Sequence, residues 1–168
     1  MAIATRVSVE EYLHTSYHPD REYVDGEVLE RNLGTLDHSW LQRALFAYVL
    51  AREKQIGAII IQEQRLQLGP KHYRVPDSMI ILGGKPQEQI ITKPPFICIE
   101  VLSPEDRMSR VEKKIADYLA FGVSYVWVLN PKTKQALEYT NAGKRSIDDG
   151  VLRTENPAIE IPLSQIFE

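Results

Sequence analysis

The clearest hydrophobic pattern in the chain lies at residues 96–102, where apolar side chains occupy both odd and even positions. Successive side chains of a strand point to opposite faces, so this pattern predicts a strand that is covered on both sides. Glu100 is the exception, and it shares a face with Cys98. A carboxylate in such a strand is costly unless it is paired, protonated or bound to a cation.

A helix is predicted to follow this strand. Residues 109–112 match a capping box, and Gly122 suits the position just past a helix end. Between them apolar residues recur at helical spacing, and Lys114 falls on the edge of that stripe, whereas Lys113 points toward water. Residues 125–129 predict a second buried strand, and a strand–helix–strand unit of this length predicts two parallel strands.

The rest of the chain predicts further elements of both kinds. A capping box at residues 8–11 predicts a short helix. Asp25-Gly26 predicts a hairpin within residues 21–31. We interpret the acidic side chains of this hairpin as a solvated edge. Asp37 is expected to cap a long helix that ends near Ile56, with Trp40 on its apolar face. Strands are predicted at residues 58–62, with an extension past a bend at 64–68, and at 73–82, 135–140, 151–154 and 159–161. Loops are predicted at 83–95 and 141–150. Pro76 interrupts the strand at 73–82, which indicates an edge, a bulge or a strand start there.

Composition narrows the class of protein. The 168 residues, of which 43% are hydrophobic, suit one domain over residues 1–168 with a substantial core. A net charge of −3 gives no general basic surface for nucleic acid, although a local basic groove is compatible with it. The lone Cys98 excludes an intrachain disulfide and favours a reduced, cytoplasmic setting. We expect no signal peptide and no membrane contact, because no apolar run is long enough to span a bilayer.

Three residues form a candidate site for chemistry. Asp77 follows Pro76, Glu100 lies in the buried strand, and Lys114 lies on the helix after it. Two carboxylates in apolar surroundings repel each other unless a cation or a proton lies between them, and hard oxygen ligands suit Mg²⁺ or Mn²⁺. A nearby lysine can orient a water molecule or offset the charge of a phosphate. A structural ion pair of Glu100 with Lys114 or Arg110 would give the same pattern, so both interpretations stay open.

His38, at the start of the long helix, also has two interpretations. It is either a partly exposed residue of a first helical turn or a polar group that faces a site at a helix N-terminus, where anions are favoured. The sequence shows no glycine-rich phosphate loop, no Cys/His metal spacing and no Gly-x-Ser-x-Gly elbow.

An ordered set of segments carries a family resemblance over most of the chain. The segments are Glu22-Tyr23-Val24-Asp25-Gly26-Glu27, His38-Ser39, Arg74-Val75-Pro76-Asp77, Ile99-Glu100-Val101-Leu102-Ser103-Pro104, Lys114, Tyr118, Gly122-Val123 and Tyr125-Val126-Trp127-Val128-Leu129-Asn130-Pro131. In these segments the chain resembles the Uma-type putative restriction endonuclease family, which is assigned to the PD-(D/E)XK nuclease superfamily.

The resemblance implies a fold and an activity. It implies an α/β restriction endonuclease-like core, a mixed sheet flanked by helices, that hydrolyses DNA phosphodiester bonds as a homodimer. It implies that Asp77, Glu100 and the Val101 carbonyl bind Mg²⁺ or Mn²⁺ and that Lys114 orients the attacking water. Glu27 would be a further acidic residue of the site, with Glu22 and Glu30 as alternatives, and His38 would line it.

The sequence departs from the family pattern at two positions. Leu102 stands where the superfamily usually has its lysine, and Arg110 stands where the family usually has an aspartate. Arg110 would instead supply a cation for phosphate, as would Arg107, Arg74 and Lys71. Two other functions therefore stay open: a nuclease fold that binds DNA or protein without turnover, and a metal-free structural domain in which Glu100 pairs with Lys114.

Overall fold

The structure is a computed structural model that describes residues 6–32 and 34–167. Its helices are α1 (Val9–Leu13), α2 (Leu36–Leu50), α3 (Glu53–Ile56) and α4 (Met108–Phe121), with a 3₁₀ helix at Leu163–Gln165. Its strands are β1 (Glu22–Val24), β2 (Glu27–Leu29), β3 (Ala58–Gln62), β4 (Leu66–Gly69), β5 (His72–Arg74), β6 (Ser78–Leu82), β7 (Ile97–Val101), β8 (Tyr125–Asn130), β9 (Gln135–Thr140), β10 (Gly143–Ser146), β11 (Val151–Arg153) and β12 (Glu160–Pro162).

A six-stranded mixed sheet forms the centre of the fold, in the order β10-β9-β8-β7-β6-β3. Strand β7 pairs with β8 in parallel and with β6 in antiparallel orientation. Helix α4 connects the two parallel strands, so the predicted strand–helix–strand unit is confirmed. The expected fold class, a mixed sheet flanked by helices, is confirmed as well.

Apolar side chains cover both faces of the central strand β7. On one face Ile97 and Ile99 belong to a core that includes Leu45 of α2, and on the other Cys98 belongs to a core that includes Ile115 of α4. Each such fully buried aliphatic side chain contributes about 1.5–3 kcal/mol relative to an exposed one. Because alternate residues of a strand share a face, this packing places Glu100 on the side of α4.

A second sheet of four strands, in the order β2-β1-β5-β4, carries the predicted hairpin. Asp25 and Gly26 have positive φ angles of 48° and 96°, as the tight turn between β1 and β2 requires. Beneath this sheet Tyr12 of α1 packs against Tyr23 and Tyr73, with ring centroids 5.0 and 5.4 Å away. These aromatic contacts fix β1, and therefore Glu22 at its start, against the rest of the molecule.

Pro76 lies where the chain passes from one sheet to the other. The single strand predicted at residues 73–82 is wrong: β5 belongs to the small sheet and β6 to the large one. Proline has no N–H to donate to a ladder, so pairing stops at this point. The separate sheet that contains β4 likewise replaces the predicted extension at 64–68. Asp77 consequently lies at the junction of the two sheets.

Several predicted boundaries differ from the structure. Helix α4 starts at Met108, so the capping box at residues 109–112 is wrong and Ser109 lies within the helix. The hydroxyl of Thr35, not Asp37, caps α2 by accepting the N–H of His38 at 3.3 Å. Trp40 is 48% exposed, and the predicted long helix breaks after Leu50 into α2 and α3. Part of the loop predicted at 141–150 forms strand β10, which pairs with β9. Its polar, exposed residues gave no pattern that predicts a strand.

Candidate active site

Four segments that are distant in sequence line one cavity of about 260 Å³. Strand β1 contributes Glu22, the β5–β6 junction contributes Asp77, β7 contributes Glu100, and α4 contributes Lys114. The three residues selected from the sequence therefore lie together, near the end of β7 and the start of β6, where the chain passes from the small sheet to the large one.

Glu100 is held by two side chains of α4. Lys114 Nζ lies 3.1 Å from Oε2, and the Tyr118 hydroxyl donates to Oε1 at 2.6 Å. The two donors are four residues apart, which places them one above the other on the same helix face. Burial, reinforced by the charges of Asp77 and Glu22, raises the pKa of Glu100 from its ordinary 4.5 to about 7, although Lys114 lowers it. Near neutral pH this carboxyl therefore exchanges a proton readily.

Asp77 is held by donors from three different segments. Arg31 Nη2 donates to Oδ1 at 2.9 Å, the Val101 N–H donates to Oδ2 at 2.8 Å, and His38 Nε2 lies 3.4 Å from Oδ2. The Gln42 amide also donates to the Asp77 backbone carbonyl at 2.7 Å. Burial favours the neutral acid, but the hydrogen bond with His38 and nearby cations outweigh it and lower the pKa of Asp77. Asp77 is thus a fixed, ionised carboxylate.

His38 faces the cavity, as one of its two sequence interpretations requires. It is 8% exposed, and its contact with Asp77 raises its pKa although burial acts in the opposite direction. The interpretation as a partly exposed residue is wrong. Its role in the chemistry stays a prediction.

Lys114 lies between two carboxylates. Its Nζ is 3.2 Å from Glu22 Oε1 as well as 3.1 Å from Glu100 Oε2. Burial disfavours the ammonium ion, but the charges of Glu100 and Glu22 outweigh burial and raise the pKa of Lys114, so it remains protonated. Lys113, in contrast, is exposed, in agreement with the helical geometry that favoured Lys114.

Glu22 is a member of the buried cluster. It is 4% exposed, so its interpretation as part of a solvated edge is wrong. Its carboxylate accepts from Arg74 Nη1 at 2.9 Å and from the Val75 N–H at 3.0 Å. Arg74 is the last residue of β5 and Val75 follows it, and β5 pairs with β1 although the two strands are more than forty positions apart in sequence. The local sequence of the hairpin therefore could not distinguish Glu22 from its acidic neighbours.

The other acidic residues of the hairpin lie farther out. Glu27 and Glu30 line the cavity, but both side chains are exposed, and Glu30 pairs with Arg21 at 3.1 Å. Glu27, the preferred further acid from the sequence, thus lies on the rim, whereas Glu22 contacts Lys114. The function of either residue stays a prediction.

Two arginines, Arg74 and Arg31, form ion pairs with carboxylates of the cluster. Arg74 is 3% exposed and donates to Glu22 and, through Nε and Nη2, to Asp117 Oδ2 at 3.0 and 2.7 Å. It is therefore a buried structural cation, and the expectation that it contacts phosphate is not supported by its position. Arg31, which contacts Asp77, was missed because a single arginine in a polar segment has no periodic or motif signal.

Basic side chains occupy one rim of the cavity. Arg107, Arg110 and Lys113 are exposed and line it at the N-terminal half of α4. Arg110 lies outside the buried cluster, so it does not replace Lys114 as the partner of Glu100. This rim can contact an anion whose reacting group lies at Glu100.

The donor set fits a hard divalent cation in chemical type. Asp77 and Glu100 offer carboxylate oxygens, and Mg²⁺ commonly uses one or two carboxylates with water and substrate phosphates completing its shell. Within residues 6–32 and 34–167, no three His, Cys, Asp or Glu side chains are arranged to hold a metal ion by themselves. A cation here would thus depend on water and substrate for most of its ligands.

The fold indicates the class of protein to which the chain is similar. It is similar to that of a protein from Anabaena variabilis ATCC 29413 described as "a putative nuclease belonging to DUF820". The TM-score is 0.81, with 21% sequence identity over 96% of this chain and 97% of that chain. The two proteins therefore share a fold, a mixed sheet flanked by helices.

The sequence then defines the family. Residues 9–164 match the family described as "Uma2: Putative restriction endonuclease", and the chain belongs to this family of putative endonucleases. The predicted resemblance is thereby confirmed. No curated protein matches the sequence. In the part of the chain that the structure describes, no helix combines the length and apolar character needed to cross a membrane.

Proposed function

We propose that the protein is a metal-dependent DNA endonuclease whose active centre is the cavity of Asp77, Glu100 and Lys114. The observation that carries this proposal is the position of Lys114 Nζ, 3.1 Å from a carboxylate that lines the same cavity as a second, fixed carboxylate. Two acids and an amine in one cavity are the groups needed to bind a divalent ion and to orient water for attack at phosphorus.

Each residue has a proposed role. Asp77 and Glu100 would hold Mg²⁺ or Mn²⁺, with the Val101 carbonyl as an additional ligand. When bound, such an ion polarises the phosphodiester and lowers the pKa of a bound water. Lys114 would orient the attacking water and offset charge on the phosphate, and Tyr118 fixes the Glu100 carboxylate through its hydrogen bond of 2.6 Å. Glu22 keeps Lys114 in place from the opposite side, at 3.2 Å.

The basic rim supports DNA as the substrate. Arg107, Arg110 and Lys113 lie beside the acidic cluster, so they would contact backbone phosphates on either side of the bond at the centre. This local charge explains how a chain with a net charge of −3 could bind a polyanion. His38 and Glu27 are proposed to assist at the cavity wall.

Cleavage of a supercoiled plasmid in Mg²⁺ or Mn²⁺ tests the proposal. Asp77→Asn, Glu100→Gln and Lys114→Met should each reduce nicking by at least about a hundredfold, because each removes a group that acts on the reacting atoms. Glu138→Gln is the matched control: Glu138 is also buried, at 4%, but it bonds Trp127 and Arg145 away from the cavity. Full activity in the three site variants would contradict the proposal, provided that thermal unfolding shows all proteins to be folded.

A second candidate function is a binding module without turnover. The observation that favours it is that protein cations already contact Glu22, Asp77 and Glu100, since Arg74, Arg31 and Lys114 lie within 3.2 Å of them. Such a module would retard DNA in a salt-dependent way and never nick it at any metal concentration. A purely structural domain would do neither.

We also propose that two copies act together, in the cytoplasm. Cutting both strands of a duplex requires either two active centres or two successive visits by one, and a dimer supplies the first. Light scattering on the purified protein should give twice the chain mass of 19.2 kDa. A monomer at micromolar concentration, with and without DNA, would contradict the dimer while leaving the nuclease proposal intact.

A further inference from the structure

Arg31 donates to one of the two carboxylate oxygens of Asp77 within the cavity. Its guanidinium donates to Asp77 Oδ1 at 2.9 Å, whereas the Val101 N–H and His38 both contact Asp77 Oδ2. The Arg31 side chain is 9% exposed and lines the cavity, so its charge is inside the site. A second cation that binds Oδ1 therefore competes with the guanidinium for that oxygen.

A second acceptor for Arg31 lies next to Asp77. Arg31 Nη2 is 3.7 Å from Glu63 Oε1, and the Glu63 carboxylate is 52% exposed. The Glu63 N–H donates to the Asp77 carbonyl at 3.2 Å, which keeps the two residues side by side. Glu63 also has a φ of 49°, a conformation that residues with a side chain rarely adopt. The guanidinium thus has a close buried partner and a more distant exposed one within reach of the same nitrogen.

We propose that Arg31 is a displaceable counter-cation of Asp77: a divalent ion that binds at Asp77 moves the guanidinium from Asp77 to Glu63. This inference rests on the proposed metal site and adds a residue that sets its affinity. Arg31 is a positioning residue here, since it acts on the ion through Asp77. In the absence of the ion it neutralises a buried carboxylate, which would otherwise be costly to leave unpaired.

The test measures Mn²⁺ affinity by calorimetry on the whole chain at one fixed pH, without DNA. Arg31→Met should bind Mn²⁺ at least about tenfold more tightly than the wild type, because the competing charge is gone. Arg31→Lys keeps that charge and should bind within about threefold of the wild type. Arg110→Met removes a cation from the rim of the same cavity and should also change the affinity by less than about threefold.

A double-mutant cycle tests the second acceptor. Glu63→Gln should weaken Mn²⁺ binding at least about fivefold in the wild type, because the displaced guanidinium then has no carboxylate to accept it. In the Arg31→Met background the same change should cost less than about twofold. Glu30→Gln, which removes another exposed acid of the cavity, should give equal effects in both backgrounds.

The outcomes separate this inference from the proposed function. Unchanged or weaker Mn²⁺ binding by Arg31→Met, in a protein that unfolds cooperatively, overturns the counter-cation role. If the wild type still binds Mn²⁺ and nicks plasmid, the endonuclease proposal survives that result. An equal effect of Glu63→Gln in both backgrounds overturns the transfer to Glu63. If neither the wild type nor Arg31→Met binds Mn²⁺, both proposals fail.

Discussion

Buried charge dominates the candidate site at the scale of single residues. Lys114 is the ion-pair partner of two buried carboxylates, Glu22 and Glu100, at 3.2 and 3.1 Å. A buried pair adds little net stability compared with an apolar pair of the same shape, but the loss of one partner leaves a charge without compensation. The stability of this region should therefore respond more strongly to the loss of one charge than to the loss of an apolar contact on the surface.

Lys114→Met should destabilise the metal-free protein by about 3–5 kcal/mol at pH 8, because it leaves two carboxylates in the cavity without their shared cation. Urea unfolding followed by circular dichroism measures this loss. Lys113→Met is the matched control, since its side chain is exposed on the same helix, and it should change stability by less than about 0.5 kcal/mol. Equal effects of the two substitutions would show that Lys114 is not paired in solution.

Glu100 should give the metal-free protein a distinctive pH dependence. Its pKa is about 7 in the fold against an ordinary 4.5, so the folded state holds the proton more tightly. The stability that Glu100 contributes is therefore complete below about pH 4.5 and is lost as the pH rises toward 7. The lowered pKa values of Asp77 and Glu22 act in the opposite sense, since their contributions are lost as the solution becomes acidic.

The measurement that isolates Glu100 compares the wild type with Glu100→Gln across this pH range. The free energy of unfolding of the wild type, taken relative to that of the variant, should fall by about 3 kcal/mol between pH 4.5 and 7. A constant difference between the two proteins would show that Glu100 titrates normally. Glu138→Gln, at a buried acid away from the cavity, serves as the control.

The sequence could identify some residues of the site and not others, for a physical reason. Lys114 was preferred to Lys113 because helical geometry is local, and Glu100 stood out because it interrupts an apolar strand. Glu22 and Arg31 gave no such signal. Their partners Arg74 and Asp77 lie 52 and 46 positions away. Glu22 meets Arg74 through the pairing of β1 with β5 in the small sheet, and Arg31 meets Asp77 at the junction of the two sheets.

Helix α4 is the element that positions two side chains of the candidate site. It carries Lys114 and Tyr118 on one face, and it ends at Gly122, whose φ of 115° requires a residue without a side chain. A Cβ at Gly122 would lie 3.1 Å from Cγ of Pro94, just before β7. The end of α4 is thus packed directly against the entry to the strand that bears Glu100.

Gly122→Ala should destabilise the protein by about 2–3 kcal/mol, because the left-handed backbone and the contact with Pro94 both oppose a methyl group. Gly57→Ala is the matched control: Gly57 also ends a helix with a positive φ, of 68°, but no atom lies within 4 Å of its added Cβ. It should cost only about 1 kcal/mol. Thermal or urea unfolding of both variants checks the difference, and equal costs would show that Pro94 yields freely.

At the level of elements, periodic and local signals predicted the structure well. Strand β7, helix α4 and strand β8 followed from apolar runs and helical spacing, and Asp25-Gly26 gave the hairpin. The change of sheet at Pro76 was not predicted, because a proline in an apolar run is compatible with an edge, a bulge or a strand start. The strand β10 was missed since it consists of exposed residues that gain order only by pairing with β9.

At the scale of the whole molecule, the charge distribution determines how the protein would bind DNA. The net charge is −3, yet Arg107, Arg110 and Lys113 form a basic rim at the cavity. Counterion release makes DNA affinity fall with salt in proportion to the number of phosphates that the protein neutralises. The steepness of that fall therefore reports how many basic side chains touch the backbone.

The double variant Arg107→Gln/Arg110→Gln should reduce the slope of log Kd against log salt by about 2, because two phosphate contacts are lost. Fluorescence anisotropy with a labelled duplex, in Ca²⁺ to prevent cleavage, measures the slope. Lys132→Gln/Lys134→Gln removes the same charge from the exposed β8–β9 turn and should leave the slope nearly unchanged. A similar loss in both double variants would mean that net charge, not the rim, determines binding.

The passage of the chain between two sheets at Pro76 also bears on the order in which the candidate site assembles. Glu22 belongs to the small sheet, whereas Glu100 and Lys114 belong to the large sheet and its crossover helix. The two carboxylates that hold Lys114 therefore come from different sheets, so its full set of contacts forms only once the two sheets have packed together.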